Sequence, residues 1–220
     1  MDLTSILLAR AMAWVEPIDL NPMGAVFYPE LTKALIARYN FQKFPQKLED
    51  FDESKGVTFG VGRLGEAVIE QLVIYTYGIV LDTRISTQES RRLLEEAFEW
   101  GRKELGFTYR PDMVKRWQYA SQVTFRSTAQ MTGASSAVER LAASVAKNVA
   151  DVMGENLKYD LAILSVDYDQ LTRKHPLGRF SIQRRDNTPF SESKYFSDAP
   201  LPTDIHIRLL EQFEKDLSHE

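Results

Sequence analysis

Hydrophobic residues are densest between residues 67 and 84, where Val, Ile, Leu and Tyr occupy both alternating faces of an extended chain. Ile69, Val73 and Ile79 fall on one face, and Leu72 and Val80 fall on the other. A strand that is apolar on both faces is typical of the interior of a sheet. The pattern therefore predicts one long central strand over residues 67–84.

The segment before this stretch has a different alternation. In VTFGVGR, residues 57–63, apolar side chains alternate with Thr and two glycines. This is the pattern of a strand with one bare face, on which another group can pack closely. The short link of residues 64–66 contains a glycine, which favours an antiparallel hairpin with the central strand.

Apolar residues three and four positions apart predict the helices. A helix over residues 28–39 has Pro29 in its first turn, where proline is well tolerated. A longer helix begins at Ser86, where the run Ser-Thr-Gln-Glu forms a capping box. It ends before Gly106, which suits a left-handed cap.

Two further helices follow the same rule. One covers residues 136–153 and ends at Gly154, and the last begins at Thr203. The apolar stripe of the first is predicted to be buried; its members are Val138, Leu141, Ala142, Val145, Val149 and Val152.

Three more strands are predicted over residues 117–125, 157–169 and 178–186. With hairpins at both ends and helices between them, the element order ββαβαββα predicts an α+β fold. Its mostly antiparallel sheet is built from hairpins, with helices packed on one face. The 220 residues are expected to form a single domain.

Both ends of this domain carry arms marked by proline and aromatic residues. The N-terminal arm, residues 1–27, is predicted to include a short amphipathic helix that ends near Trp14. Trp14 is a candidate interface residue, because an apolar arm of this kind packs either on its own domain or on a neighbouring subunit. The second arm, residues 187–202, is predicted to be extended before the last helix. Phe190, Tyr195 and Phe196 in this arm anchor either to the protein's own sheet or to a neighbouring subunit.

The composition limits the binding partners, the site chemistry and the cellular location that can be expected. The net charge of −4 argues against general nucleic-acid binding, because such binding needs a basic surface. The chain has no cysteine, which excludes disulfides, thiolate metal sites and cysteine nucleophiles. It shows neither a signal-peptide pattern nor an apolar run long enough to span a membrane. A soluble cytoplasmic protein is expected.

Aspartates at predicted strand ends are the strongest chemical pattern. Asp167 and Asp169 are two positions apart and so share a side of a strand, and Asp82 ends the central strand. Three carboxylates at one sheet edge would suit Mg²⁺, with Arg184 and Arg185 holding a phosphate. The alternative is that these aspartates only hydrogen-bond their own turns.

Three other patterns point to no site. Residues 60–65 match the dinucleotide pattern G-x-G-x-x-G, but they lie within a strand and do not open a helix. The three histidines lack the spacing of a helical metal pair. Ser191 or Ser193 could join His206 and Asp204 in a catalytic triad, but no nucleophile elbow frames either serine. His206 is predicted to be an ordinary surface residue.

Two hypotheses of different classes remain. The preferred one is a non-catalytic interaction or assembly protein that self-associates or serves as a subunit of a larger complex and needs no cofactor. The alternative is a metal-dependent phosphodiesterase or nucleotidyl-transfer enzyme that uses the strand-end aspartates and Mg²⁺.

Overall fold

The computed structural model describes residues 1–21, 27–132, 136–169, 171 and 177–218. The strands of this part are β1 (Asp2–Trp14), β2 (Val57–Leu64), β3 (Ala67–Tyr75), β4 (Gly78–Thr83), β5 (Arg116–Arg126), β6 (Ile163–Val166), β7 (Phe180–Arg184) and β8 (Lys194–Ala199). The helices are α1 (Pro17–Leu20), α2 (Tyr28–Tyr39), α3 (Thr87–Glu104), α4 (Ser136–Met153) and α5 (Thr203–Leu217).

The described strands form one eight-stranded sheet in the order β2-β3-β4-β1-β5-β8-β7-β6. Pairing is antiparallel between β2 and β3, β3 and β4, and β1 and β4. It is also antiparallel between β6 and β7 and between β7 and β8. The predicted α+β class with an antiparallel sheet is therefore confirmed.

The prediction of a short helix in the N-terminal arm is wrong, because this segment is the strand β1, which lies between β4 and β5 in the sheet. Ala9, Ala11 and Ala13 are fully buried on one face, while Arg10 on the other face is half-buried. Their small side chains let α3 approach closely enough for Ser90 Oγ to donate to the Ala9 carbonyl at 2.7 Å. Alanine favours helices in isolation, and here tertiary packing overrides that preference.

The stretch 67–84 is interior to the sheet, as expected, but it is two strands. β3 and β4 form a hairpin whose last pair is Tyr75 with Gly78, which leaves Thr76 and Tyr77 as the turn. Short hairpin turns normally carry Gly, Asn or Asp at their central positions. Thr76 and Tyr77 are not residues of this kind, so the sequence pattern does not predict the turn.

The hairpin of β2 and β3, the helix α2 and the helix α3 are confirmed at the expected positions. Ser86 caps α3 by accepting from the Glu89 amide at 3.1 Å. The bare face of β2 holds the ring of Phe41, because a Cβ on Gly62 would lie 2.5 Å from it. The strand glycine is therefore needed for this close packing.

The strands after α4 differ from expectation in extent. The strand predicted over 157–169 is limited to β6, and that over 178–186 is limited to β7. Within the arm 187–202, residues 194–199 pair with β7 as the regular strand β8. His175 and His219 lie outside the described residues.

The described chain divides into two compact units. In the larger unit, residues 6–121 and 200–205, α2 and α3 pack on the sheet through a core that includes Leu35, Phe59, Leu81, Leu94 and Phe98. The smaller unit comprises residues 1–5, 122–199 and 206–220. Its buried residues include Phe125, Ile182, Tyr195, His206 and Leu210.

In the larger unit, the first turns of α3 and α5 are joined by two reciprocal hydrogen bonds. The Thr87 amide donates to Thr203 Oγ1 at 3.0 Å, and the Thr203 amide donates to Thr87 Oγ1 at 2.8 Å. Both threonines are buried. Each hydroxyl therefore satisfies an amide that would otherwise lack a partner at a helix start.

Replacing Thr87 or Thr203 with valine is expected to lower the free energy of unfolding by about 1–3 kcal/mol, because each change leaves one buried amide unsatisfied. Urea denaturation followed by circular dichroism measures the effect. Thr58→Val is the matched control, because Thr58 is exposed and its hydroxyl donates to the Gly56 carbonyl at 3.3 Å. Equal stability of all three variants would contradict a stabilising role for the paired threonines.

Candidate interaction surface

The apolar stripe of α4 is half-buried to exposed, which corrects the prediction that it is buried. None of residues 137–153 is buried, although the helix runs for 18 residues. Leu141 is 64% exposed, Val145 37% and Val152 81%. Leaving a row of such side chains in water forgoes most of the free energy that their burial would provide.

The exposure continues beyond α4. Leu157, Tyr159, Ile163 and Val166 are all at least 36% exposed. Nearly half of the large apolar side chains that are exposed in the described chain lie between residues 141 and 171. The name assembly segment is used below for residues 141–166, which hold the stripe of α4, the following loop and β6.

The stripe carries no charge. Seen along a helix with 100° per residue, its members cluster around Val145, while Arg140, Lys147 and Asp151 project from the opposite side. Two small residues lie in and beside the stripe, at Ala142 and Ala146 respectively. A partner helix can therefore approach closely without burying a charge.

β6 is the last strand in the sheet order and pairs with β7 on one side. A strand at the edge of a sheet presents backbone N–H and C=O groups that can pair with another chain. The exposed Ile163 and Val166 lie on this strand. The assembly segment thus combines an apolar helix face with a sheet edge.

Trp14, predicted as an interface residue, lies in the larger unit and is half-buried. Its ring stacks on Tyr77 with 6.3 Å between ring centres. The Arg116 guanidinium lies 4.6 Å from the ring centre, and Trp14 Nε1 donates to Gln118 Oε1 at 3.2 Å. These contacts hold the indole in place on its own sheet.

The three aromatic residues predicted as an interface in the second arm have different environments. Tyr195 is 1% exposed, stacks on Phe125 at 5.5 Å and donates to the Ala129 carbonyl at 3.3 Å. It belongs to the core of its own unit. Phe196 is half-buried, and Phe190 is 43% exposed. An interface role for these residues stays a prediction.

Asp82, predicted as a metal ligand, accepts two hydrogen bonds from Arg10. Nε donates to Oδ1 at 2.8 Å, and Nη2 donates to Oδ2 at 2.7 Å. Arg10 and Asp82 are direct partners in the register of β1 and β4. This geometry is a bidentate ion pair across two neighbouring strands.

The other members of the predicted acidic site lie in the smaller unit. Asp167 Oδ2 is 3.6 Å from Arg179 Nε, and Asp169 Oδ1 accepts from the Leu171 amide at 3.0 Å. A hydrogen bond from a backbone amide two residues ahead is typical of an aspartate that stabilises a turn. No group of three His, Asp or Glu residues suited to a metal ion occurs in the described part of the chain.

Arg184, one of the two arginines predicted to bind phosphate, has other partners. Arg184 Nη2 donates to Asp160 Oδ2 at 3.0 Å, and its guanidinium lies 4.3 Å from the centre of the Phe190 ring. The Arg185 amide donates to the Lys194 carbonyl at 3.0 Å. Arg184 therefore acts as a cross-link within its unit, whereas a phosphate-binding role for Arg185 stays a prediction.

His206 is buried, which corrects the surface position predicted for it. Its Nε2 is 2.8 Å from Ser197 Oγ, which in turn donates to the Ser181 carbonyl at 2.7 Å. Burial lowers the pKa of His206 to about 4. The ring is therefore neutral near neutral pH and links α5 to β8.

None of the helices in the described part of the chain is both long enough and apolar enough to span a bilayer. No model of a known protein family matches the sequence, and no curated protein sequence matches it either. The candidate site therefore depends on the structure of the chain itself. Among the described residues, the assembly segment holds the largest group of exposed apolar side chains.

Proposed function

We propose that this protein is a cytoplasmic, non-catalytic assembly protein that associates with a second copy of itself through the assembly segment. The observation that carries the proposal is the exposure of the α4 stripe, in which Leu141 is 64% and Val152 81% exposed. Contiguous exposed apolar surface on a water-soluble protein marks a place where another surface binds.

The chemistry of the stripe favours a second copy as the partner. A charge-free helix face needs a partner face that is apolar, uncharged and of similar length. Another α4 meets these requirements, and small residues such as Ala142 and Ala146 allow close packing of two helices. Because each copy offers the same patch, the contact closes around a two-fold axis and ends at a dimer.

The α4 face alone is smaller than the area that a stable dimer needs. A helix of 18 residues is about 27 Å long and about 10 Å wide, which gives a footprint near 300 Å² per copy. Stable interfaces bury about 800 Å² per partner. Leu157, Ile163 and Val166, with the free edge of β6, supply further surface of the same kind.

Val145→Glu is expected to convert the dimer to a monomer, raising the dissociation constant at least about a hundredfold. Val145 lies at the centre of the stripe, so a two-fold contact brings the two introduced carboxylates together in an apolar interface. Analytical ultracentrifugation measures the association. Val145 is not buried within the chain. The circular dichroism and thermal unfolding of the Val145→Glu protein are therefore expected to match those of the wild type at low concentration, where both are monomeric.

Ala143→Glu is the matched control, because Ala143 is exposed on the opposite side of the same helix. This variant is expected to dimerise like the wild type. A wild-type protein that stays monomeric at every concentration tested would overturn self-association. A Val145→Glu protein that dimerises as tightly as the wild type would show that the dimer uses another surface.

A further inference from the structure

The larger unit contains an apolar cavity of about 320 Å³ between α1, α2, α3 and the hairpin of β3 and β4. Its inner wall consists of core side chains, among them Leu35, Leu72, Ile74, Leu94 and Phe98. The cavity is partly open to solvent, so it is a pocket at the surface whose inner wall reaches the core.

The volume matches a ligand site. Pockets for small molecules are typically about 300–1,000 Å³ and mostly apolar, with a few polar groups that fix orientation. A water molecule occupies about 30 Å³ of the liquid and needs two to four polar partners, which the inner wall does not offer. The contents that suit this wall are hydrocarbon groups.

The polar groups lie at the rim. Asn21 and Glu30 line the cavity together with Phe27, whose side chain is 63% exposed. Among the described residues, none forms a hydrogen bond or ion pair with the Glu30 carboxylate. A carboxylate accepts hydrogen bonds and attracts positive charge. The rim therefore favours a molecule whose polar end donates a hydrogen bond.

We propose that this cavity binds a small, mainly apolar molecule with one hydrogen-bond-donating end, namely an amine or an alcohol. The apolar part occupies the space between α2, α3 and the hairpin, and the donor faces Glu30. The site uses no residue of the assembly segment.

N-phenyl-1-naphthylamine is a suitable probe, because it is apolar, carries one N–H donor and fluoresces strongly only in apolar surroundings. Titration of the wild-type protein is expected to give saturable fluorescence with one site per chain. An excess of the probe is expected to raise the thermal unfolding midpoint, because it binds only the folded state. A lack of saturable fluorescence with folded protein would overturn the proposal.

Ala97→Leu tests the position of the site. Ala97 lines the cavity from α3, so the larger side chain fills part of it and is expected to weaken probe binding at least about tenfold. Thermal unfolding without the probe checks that the variant folds. Ala37→Leu, at an exposed position of α2, is the matched control and is expected to bind normally. Equal binding by both variants would overturn the proposed location.

Variants of Glu30 and Val145 distinguish binding in the cavity from binding elsewhere on the protein. Glu30→Leu is expected to weaken binding about threefold or more, whereas Glu30→Gln keeps an acceptor and is expected to bind nearly normally. Unchanged affinity in Glu30→Leu would overturn the assignment of the donor end. Val145→Glu is expected to bind the probe normally; loss of binding there, with normal binding in Ala97→Leu, would place the probe on the assembly segment and overturn the cavity site.

Discussion

Replacing Arg10 with methionine is expected to lower the free energy of unfolding by about 2 to 3 kcal/mol, because it leaves the buried Asp82 carboxylate without its counter-charge. The Asp82 side chain is 4% exposed, while that of Arg10 is 41% exposed. Breaking a fully buried pair costs about 3–5 kcal/mol. Water near Arg10 screens the charge and reduces the expected cost.

Arg84→Met is the matched control for this prediction. Arg84 pairs with Glu70 at 3.3 Å, but both side chains are exposed, at 64% and 37%. Its removal is expected to cost less than about 1 kcal/mol. Urea denaturation compares the two variants. Adding Asp82→Asn to Arg10→Met is expected to recover most of the loss, because it removes the unpaired charge.

If Arg10→Met and Arg84→Met unfold at the same urea concentration, the buried pair does not stabilise the sheet in this way. The comparison also bears on the metal hypothesis. The two carboxylate oxygens of Asp82 already accept hydrogen bonds from Arg10. A divalent ion at Asp82 would have to displace that guanidinium.

The ion pair is not predictable from the local sequence pattern. That pattern predicts Asp82 at the end of a strand and places its register partner Arg10 in a helix. A strand in which Ala9, Ala11 and Ala13 share one face would instead favour a pairing of Arg10 with an acidic neighbour. The helix preference of alanine concealed this pattern.

Elements with local stop and start signals were predictable. The helix α3 has a serine cap at its start and a left-handed glycine, Gly106, with φ of 73° after its end. The β2–β3 hairpin has a glycine in its turn. The β3–β4 turn at Thr76 and Tyr77 lacks such a residue, so the sequence could not separate the two strands.

The candidate surface was predictable only in part, for a physical reason. Periodicity shows that α4 has an apolar face, but it gives no information about what covers that face. A stripe buried within the chain and a stripe left for a partner have the same sequence pattern. Only the exposure of Leu141 and Val152 in the structure distinguishes the two cases.

Lowering the pH from about 7 to about 4 is expected to reduce the free energy of unfolding by about 3 kcal/mol through His206 alone. Burial lowers the pKa of the folded group from its ordinary value of 6.5 to about 4. Above 6.5 the ring is neutral in both states, and its contribution to stability is fully present. As the pH falls through this interval, the unfolded chain takes up a proton that the folded chain does not.

His206→Gln isolates this contribution. Glutamine can keep a hydrogen bond to Ser197 Oγ, which lies 2.8 Å from the histidine Nε2, but it does not titrate. Denaturation curves at several pH values give the difference in unfolding free energy between the wild type and the variant. That difference is expected to change by about 3 kcal/mol between about pH 6.5 and pH 4 and to level off on both sides. A difference that stays constant with pH would show that His206 is protonated in the folded protein or reached by water. Burial next to Phe180, whose ring centre is 5.6 Å from that of His206, argues against both.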